Sequence, residues 1–472
     1  MKKILSLFLT VSLLASCAGA PGEATLSETE LSSPSETELL SSSETKASAS
    51  LTGSEAPLSE TKATTAVSAT TTTLAGNSAF PQAIPAMATA EETVETTAEA
   101  TEPRYALPDP PALEDFDRAV GEIAERYATT GLSLCVFSGG EIVHSVYLGY
   151  ADKEADIPSD QETLYRVASV SKLVSAIVLM TLVDEGAIDL NDDLEELTGL
   201  PYNFPGSTDR VLLWHLLSHT AGLTDSYIYE ELATTSYFSA PYVLESGYLY
   251  AAPGTVYNYS NFGAGTIGAV VERLTGEFFH DYADRALFAP LGMNAAYCAD
   301  RLKDRQKCAT LYLAGEINFD PKTWGRLSAY YERFGLGNSY LAAQCELLIS
   351  AADLARLGIV LAGDGRVDGV EILSRAAVNA INTPYFDAPA YRQGLITRIY
   401  PDTIVAGRTI YGHPGYALGN VNGLYYDPSD GTGVALCTNG CYAAVKPNGV
   451  YSILDESIKL VYESFFAEGQ DE

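Results

Sequence analysis

The chain of 472 residues carries 61 acidic against 28 basic side chains, a formal net charge of −33 at pH 7. A surface this acidic repels the phosphates of nucleic acids and of anionic lipids, so we expect neither nucleic acid binding nor direct docking of a folded domain on a membrane. The charge balance excludes these partners, and the function has to be sought in local motifs.

The first residues, MKKILSLFLTVSLLASC, have the pattern of an export signal. Lys2 and Lys3 precede an apolar run that is shorter than the roughly 20 residues a membrane-spanning helix needs. The small residues directly before Cys17 resemble a bacterial lipobox, in which the cysteine is lipidated; the alternative is an ordinary secretory signal with an incidental cysteine. We therefore expect a signal peptide over residues 1–16 and an extracytoplasmic protein, lipid-anchored to the bacterial cell membrane through Cys17.

Residues 18–108 form a segment rich in Ser, Thr, Ala and Glu, in which the triplet Ser-Glu-Thr recurs. Large apolar residues are too sparse here to bury a core. The glutamates outnumber the three basic residues, so the segment repels itself. We expect a disordered linker between the anchor and the folded part of the chain.

The remaining residues, 109–472, predict one large domain or two interleaved ones. They begin with apolar residues at helical spacing, followed by a hairpin-like passage with Gly139 and Gly140 at its turn. Near the other end, two strand-like segments flank a turn at Asp430 and Gly431, and an amphipathic helix follows.

This order of elements predicts an α+β fold. Strands from about 110–165 and 345–472 would form one antiparallel sheet, built from both ends of the domain and flanked by helices. The middle, about 166–344, would form an inserted and mostly helical lobe, with a cleft between the two lobes.

The segment from Tyr165 to Leu190 predicts a buried helix with a serine at its start. Residues three apart share a face of a helix, so Lys172 reaches back towards Ser169. A serine hydroxyl becomes a nucleophile when a base takes its proton or a positive field stabilises its alkoxide, and a lysine in a dry core can supply both. The alternative is a serine that caps the helix beside a solvated lysine.

Two later segments add polar groups that could complete a site. In PGTVYNYSNFGAG, Tyr259 and Asn261 alternate along an extended stretch and would face the same way, offering a phenol and an amide. In YGHPGYALGN, the glycines allow a ligand to approach the backbone, and His413 adds a possible donor. Taken singly, the first segment is better explained as a surface turn, and the second as a Gly-Pro turn between strands.

In this order, the segments resemble the serine β-lactamase and penicillin-binding-protein superfamily, and its class C β-lactamase-like branch most. Ser169-Val-Ser-Lys172 matches the element S-x-x-K, and Tyr259-Ser-Asn261 matches Y-x-N. His413-Pro-Gly415 matches the H-x-G variant of K-T-G. The passages LLWHLLSHTAGL and LFAPLGM also look familial. The resemblance covers nearly all of the domain and implies a β-lactamase/transpeptidase-like fold.

The resemblance also implies a mechanism. Ser169 would attack an ester or amide carbonyl and form an acyl-enzyme, with Lys172 and Tyr259 as the coupled base and acid. Asn261 would position the substrate and the lysine. No metal or organic cofactor is implied.

His413, Gly415 and Tyr416 would bind the substrate, with the oxyanion between the backbone N–H groups of Ser169 and Tyr416. In the K-T-G form, a cation and a hydroxyl help to bind the carboxylate of a penicillin or of a D-Ala terminus. Pro414 lacks a hydroxyl and an N–H, and a histidine is only partly charged near neutrality. Because a lost hydrogen bond to a charged group costs about 1.5–3 kcal/mol, we expect weak or no β-lactamase activity.

Two functions remain open at this point. One is a membrane-anchored serine hydrolase, an esterase or D-Ala/D-amino-acid peptidase, that acts on a small ester or on a peptide derived from peptidoglycan. The other is a catalytically silent protein that binds or senses cell-wall fragments. The intact motif residues favour the enzyme.

Cysteine and histidine spacing adds two further expectations. Cys298 with Cys308, and Cys437 with Cys441, are close enough in sequence to be candidate disulfides in an exported protein, whereas Cys135 lies in a strand pattern and predicts a buried thiol. The histidines at 215 and 219 are four residues apart, but without an H-E-x-x-H motif we expect structural roles and no zinc site.

Overall fold

The structure is a computed structural model that describes residues 105–226, Tyr229, 240–323 and 327–467. The predicted signal peptide, the lipidation site at Cys17 and nearly all of the predicted linker lie outside the described residues. Among the helices that are described, none combines the length and apolarity required to cross a membrane.

Most of the described strands belong to one sheet. In chain order the strands are β1 (Gly131–Ser138), β2 (Glu141–Asp152), β3 (Ile157–Pro158), β4 (Leu164–Arg166), β5 (Leu311–Leu313), β6 (Glu316–Phe319), β7 (Leu348–Ser350), β8 (Arg366–Val367), β9 (Val370–Glu371), β10 (Phe386–Asp387), β11 (Arg392–Gln393), β12 (Arg398–Pro401), β13 (Thr409–Ala417), β14 (Asn420–Asp427) and β15 (Thr432–Thr438). The sheet has the order β10-β11-β12-β13-β14-β15-β1-β2-β3 within the described chain, and its neighbouring strands are antiparallel.

Helices occupy both faces of this sheet and most of the segment between its two halves. In chain order the α-helices are α1 (Pro110–Arg126), α2 (Val170–Asp184), α3 (Leu194–Thr198), α4 (Leu213–Leu217), α5 (Ala240–Leu244), α6 (Asn261–Thr275), α7 (Phe279–Ala283), α8 (Leu327–Glu332), α9 (Ala342–Cys345), α10 (Ala351–Ala362), α11 (Arg375–Asn382) and α12 (Ser452–Phe465).

Alternation along β1 explains how the sheet is covered on both sides. Leu134 and Val136 pack in a core with α1 and α12, whereas Cys135 and Phe137 pack in the larger core with α2 and α10. Successive side chains of a strand point to opposite faces, so a strand that is buried at every position must have helices on both. Every residue of β1 is buried.

The fold prediction is confirmed. The ends of the domain join where β1 pairs with β15, with Leu134 opposite Leu436. The sheet therefore contains strands from both ends of the domain, and the described part of the intervening segment is mostly helical, apart from short pairs such as β5 with β6.

The candidate disulfides are wrong, because the cysteines in the described part of the chain are free. Cys437 packs in the core with α2 and α10, whereas Cys441 packs in the core on the opposite face of the sheet. Cys298 and Cys308 also belong to different clusters. Nearness in sequence did not bring either pair together. Cys135 is a buried free thiol, as predicted.

Candidate active site

Ser169 stands at the start of α2, the most deeply buried helix of the site. The residues from Val170 to Val183 are all buried, which fits a helix that is apolar on every side. Immediately before the serine, Ala168 has a φ of +50°, a left-handed conformation that a residue with a Cβ adopts at a cost of about 1–3 kcal/mol. Packing of Ala168 against Leu311 and Leu418 holds this turn in place.

Lys172 makes its contacts inside the protein. Its Nζ donates to Ser169 Oγ at 3.0 Å and to the Gln344 backbone oxygen at 2.8 Å, and the residue is 0% exposed. Ser169 Oγ makes no capping hydrogen bond to the first turn of α2, all of which is described. The alternative of a capping serine beside a solvated lysine is therefore wrong. Instead, the serine hydroxyl is paired with a fully buried amine.

Tyr259 lies beside this pair. Lys172 Nζ is 5.2 Å from the centre of the Tyr259 ring. His219 forms hydrogen bonds with the backbone on both sides of the tyrosine. Its carbonyl oxygen accepts from Asn258 N at 2.9 Å, and its Nδ1 accepts from Ser260 N at 3.3 Å. The His219 ring also lies 4.6 Å from the Tyr259 ring, centre to centre. The predicted structural histidine thus supports the tyrosine directly.

Asn261 is the first residue of α6, directly after the N-cap residue Ser260. Its side-chain Nδ2 donates to Asp225 Oδ2 at 2.9 Å. Asp225 follows the LLWHLLSHTAGL passage, and sequence reasoning missed it because no motif contains it. The only sequence signal is an acidic residue just beyond a familial passage.

The His413-Pro414-Gly415 segment lies in β13, beside the start of α2. Pairing of β13 with β12 ends at Gly412, opposite Arg398, while pairing with β14 continues to Ala417. A Cβ on Gly415 would lie 2.1 Å from the Val167 carbonyl oxygen and 3.1 Å from Ser169 N. Glycine is therefore required for this close approach of the strand to the serine backbone. The Tyr416 ring stacks on Tyr451 at 5.3 Å.

His413 is a neutral group in this site. Its ring is buried, and its Nδ1 donates to the Pro414 carbonyl oxygen at 2.6 Å. Burial, together with the positive charges of Arg398 and Lys172, holds the pKa of His413 well below its usual value. The sequence led us to expect a partly charged histidine, but the buried His413 ring is uncharged. Its Nε2 has no hydrogen-bond partner among the described residues.

Arg398 supplies a cation that sequence reasoning missed. Its guanidinium carbon lies 5.5 Å from the centre of the Tyr259 ring and 4.6 Å from that of Tyr391, and its buried Nε has no partner in the described chain. Other arginines in partly or fully buried positions pair with acids, as Arg166 does with Glu346. Arg398 lies in the site because β12 pairs with β13, and no sequence motif predicts this pairing.

His215 forms a hydrogen bond with the backbone of the LLWHLLSHTAGL passage. Its Nδ1 accepts from Leu212 N at 2.9 Å at the start of α4, and burial lowers the pKa of His215 to about 4. Burial, and then the charges of Lys172 and Arg398, lower the pKa of His219 to about 3. Within the described residues, no three His, Cys, Asp or Glu side chains gather as a metal site would require.

Comparison with known proteins places this site in context. Residues 116–452 match a family model described as "Beta-lactamase". The chain is 27% identical over 327 residues to penicillin-binding protein 4 of Amycolatopsis lactamdurans, a match that covers 66% of this chain and 81% of that protein. It is 33% identical over 196 residues to the esterase EstB of Burkholderia gladioli, covering 38% of this chain and 48% of the esterase.

Solved structures with the same fold include a penicillin-binding protein homologue from Caulobacter crescentus, with a TM-score of 0.58 and 21% identity over 77% of this chain and 100% of the homologue. The D-amino acid amidase of Ochrobactrum anthropi also has a TM-score of 0.58, with 22% identity over 75% of this chain and 98% of the amidase.

Proposed function

Because the chain belongs to the beta-lactamase family of serine hydrolases, we propose that it cleaves an ester or amide bond through an acyl-enzyme on Ser169. The observation that carries this proposal is the 3.0 Å contact between Lys172 Nζ and Ser169 Oγ, made by a lysine that is 0% exposed. A buried amine with a hydroxyl as its neighbour is the arrangement that activates a serine.

The proposed chemistry has two halves. Lys172 accepts the proton of Ser169 Oγ as the oxygen attacks the substrate carbonyl carbon, and Tyr259 gives a proton to the alcohol or amine that leaves. The lysine then restores the proton of Tyr259. In the second half, water attacks the acyl carbon and gives a proton to one of the same two groups. The bond between that carbon and Ser169 Oγ then breaks, the serine oxygen takes a proton back from these groups, and the acid product departs.

Backbone N–H groups of Ser169 and Tyr416 are the proposed donors to the oxyanion. Because Gly415 lies close to Ser169 N, the backbone segments that carry the two donors lie next to each other. Negative charge would develop on the substrate oxygen between them. Each such donor contributes about 100–1,000-fold to the rate. The Tyr416 side chain, stacked on Tyr451, fixes the backbone that carries the second donor.

Arg398 favours a substrate with a carboxylate near the scissile bond. A guanidinium without an acidic partner in the described chain, beside Tyr259, can bind a carboxylate by charge-assisted hydrogen bonds. We therefore favour peptides that end in a D-amino acid, or esters of carboxylic acids that carry a second carboxylate. The similarity to a D-amino acid amidase and to penicillin-binding proteins is compatible with this class.

The proposed location is the outer face of the bacterial cell membrane. The lipobox-like sequence at Cys17 would carry the anchor, and the Ser/Thr/Glu-rich segment 18–108 would link it to the catalytic domain. There the domain would meet peptides and esters from the cell wall or the medium.

A substrate panel tests the proposal. It consists of p-nitrophenyl esters of increasing acyl length, D-Ala-D-Ala peptides with free or amidated C-termini, and nitrocefin. We expect turnover of esters or peptides, preference for the free carboxylate, and slow turnover of nitrocefin. The catalytically silent binding protein would instead retain peptides without turning over any member of the panel.

A further inference from the structure

Tyr257 reaches from the loop before α6 to the turn between β10 and β11. Its hydroxyl oxygen lies 2.8 Å from that of Tyr391, the residue directly before β11. The two rings meet edge to face, with 6.1 Å between their centres. The Tyr257 ring also stacks on Phe386 of β10, at 6.2 Å. Tyr257 therefore joins the segment that carries Tyr259 to the end of the sheet formed by β10 and β11.

This pair of tyrosines lies beside Arg398. The guanidinium carbon of Arg398 is 4.6 Å from the centre of the Tyr391 ring and 5.5 Å from that of Tyr259. Tyr257 and Tyr259 both pack against the His219 ring, at 6.1 and 4.6 Å between ring centres. The contacts thus run from Tyr259 to Arg398, on to Tyr391, and through the hydroxyl pair to Tyr257. A group that binds Arg398 beside Tyr259 has these two phenols as its neighbours.

The hydroxyl pair has one proton left to donate. Each phenol carries one proton, and the contact between the two hydroxyls uses only one of them. Burial holds the pKa of Tyr257 well above its usual value, so this hydroxyl keeps its proton. Neither hydroxyl has another hydrogen-bond partner in the described part of the chain. The remaining proton can therefore be donated to an acceptor such as a substrate carboxylate.

We propose that Tyr257 and Tyr391 form the specificity-determining wall at the leaving-group end of the site. The wall admits a leaving group that ends in a carboxylate one residue beyond the scissile bond, where Arg398 and the phenol proton bind it. A chain that continues beyond this point would have to separate the two rings, so the wall excludes it. This inference rests on the proposed acyl-enzyme function and deepens it, because it limits the substrates to those cleaved at their last residue.

Tyr248 provides a matched control nearby in the chain. It is half-buried, as Tyr257 is, and its hydroxyl donates to the Pro201 carbonyl oxygen at 2.7 Å. Tyr248→Ala therefore removes a phenol and its hydrogen bond, as Tyr257→Ala does, without changing a contact of Arg398.

Three ester probes, used with the full chain, separate the length of the leaving group from its charge. All carry an N-acetyl-D-alanyl group, which Ser169 Oγ would take up, and they differ in the alcohol that leaves with a proton. D-Lactate is short and ends in a carboxylate, D-lactamide is short and neutral, and D-lactoylglycine has its carboxylate one residue further away. The ratio of kcat/KM for the D-lactamide and D-lactoylglycine esters reports length, and the ratio for the D-lactate and D-lactamide esters reports the carboxylate. Because each ratio is taken within one variant, a loss of folded protein cancels.

The wild type and Tyr248→Ala should prefer the D-lactamide to the D-lactoylglycine ester by at least about 10-fold, and Tyr257→Ala should reduce this preference to less than about 3-fold. The double variant Tyr257→Phe/Tyr391→Phe keeps both rings and removes both hydroxyls. It should keep most of the length preference and lower the preference for D-lactate over D-lactamide by about 10-fold or more, since a hydrogen bond to a charged group is lost.

Four results would overturn this inference and leave the proposed function standing. They are a wild type that accepts the D-lactamide and D-lactoylglycine esters equally, a length preference in Tyr257→Ala that equals that of Tyr248→Ala, an unchanged preference for D-lactate in the double variant, and turnover of p-nitrophenyl esters without turnover of the D-lactate ester. A wild type that turns over no ester at all would overturn the proposed function and this inference together.

Discussion

The guanidinium carbon of Arg398 lies 5.5 Å from the centre of the Tyr259 ring, so a cation stands beside the phenol although the third motif contains no lysine. The Tyr391 ring lies on the same guanidinium at 4.6 Å. The pairing of Arg398 with Gly412 in neighbouring strands brings this charge next to His413. We therefore attribute the weak β-lactamase activity that we expect to Pro414, which lacks the hydroxyl of the K-T-G form, and not to a missing cation.

Replacing Arg398 tests whether this cation binds the carboxylate of the substrate. In Arg398→Gln, kcat/KM for a D-Ala-D-Ala peptide with a free C-terminus should fall by about 10- to 150-fold, since a hydrogen bond to a charged group is lost. The C-terminally amidated peptide should lose much less. Equal losses for the two peptides would show that Arg398 supports the site without binding a carboxylate.

Gly415→Ala tests the close approach of β13 to the serine backbone. The added Cβ would meet the Val167 carbonyl oxygen at 2.1 Å, so the strand or the serine turn has to shift. Displacing one oxyanion donor should slow turnover by about 100–1,000-fold. Gly121→Ala in α1 is the control, because nothing lies within 4 Å of its added Cβ and alanine favours helices. Gly415→Ala with the activity of the control would contradict the assigned oxyanion position.

Lys172→Met separates catalysis from stability. The variant should lose about 100–10,000-fold in kcat/KM, because the amine that takes the serine proton is removed. Its free energy of unfolding, measured in urea, should stay close to that of the wild type. Methionine fills the space of a polar group whose burial is costly, and this gain offsets the two lost hydrogen bonds. Retention of more than a tenth of the activity would rule out lysine as the base.

The buried histidines predict how stability depends on pH. An unfolded histidine has a pKa of about 6.5, whereas burial holds the pKa of His215 at about 4 in the folded protein. Between these values the unfolded state binds more protons. The stability contributed by a neutral His215 is therefore complete above about pH 6.5 and is lost as the pH falls towards 4.

His215→Asn removes this proton uptake while its side-chain oxygen can still accept from the Leu212 backbone. The slope of unfolding free energy against pH, between pH 6 and 4.5, should decrease by up to about 1.4 kcal/mol per pH unit. Urea unfolding at several pH values measures it. An unchanged slope would mean that His215 takes up its proton in the folded state.

Local spacing was sufficient to predict the pairing of Ser169 with Lys172, because three residues along a helix fix their separation. It also predicted an antiparallel sheet with strands from both ends of the domain, since turn residues and strand patterns are local. What these patterns could not supply is which distant segments meet. Arg398 reaches the site through strand pairing, and Asp225, which follows α4 in the chain, reaches it by hydrogen bonds to the start of α6.

The same limit explains the wrong disulfides. Cys437 and Cys441 are four residues apart in sequence, yet the sheet separates them because one packs on each of its faces. His219 shows a related limit, since its spacing from His215 led only to the expectation of a structural role. Its contacts with the backbone around Tyr259 depend on a left-handed φ of +56°, which the sequence does not reveal.

The central claim is that Ser169 is an activated nucleophile, and covalent labelling tests it most directly. The full chain would be treated with a fluorophosphonate, digested, and mapped by mass spectrometry. We predict one stoichiometric adduct on Ser169, absent from Ser169→Ala and at least about 100-fold slower to form in Lys172→Met. A wild-type protein whose Ser169 remains unmodified, or an adduct that persists in Ser169→Ala, would contradict the account.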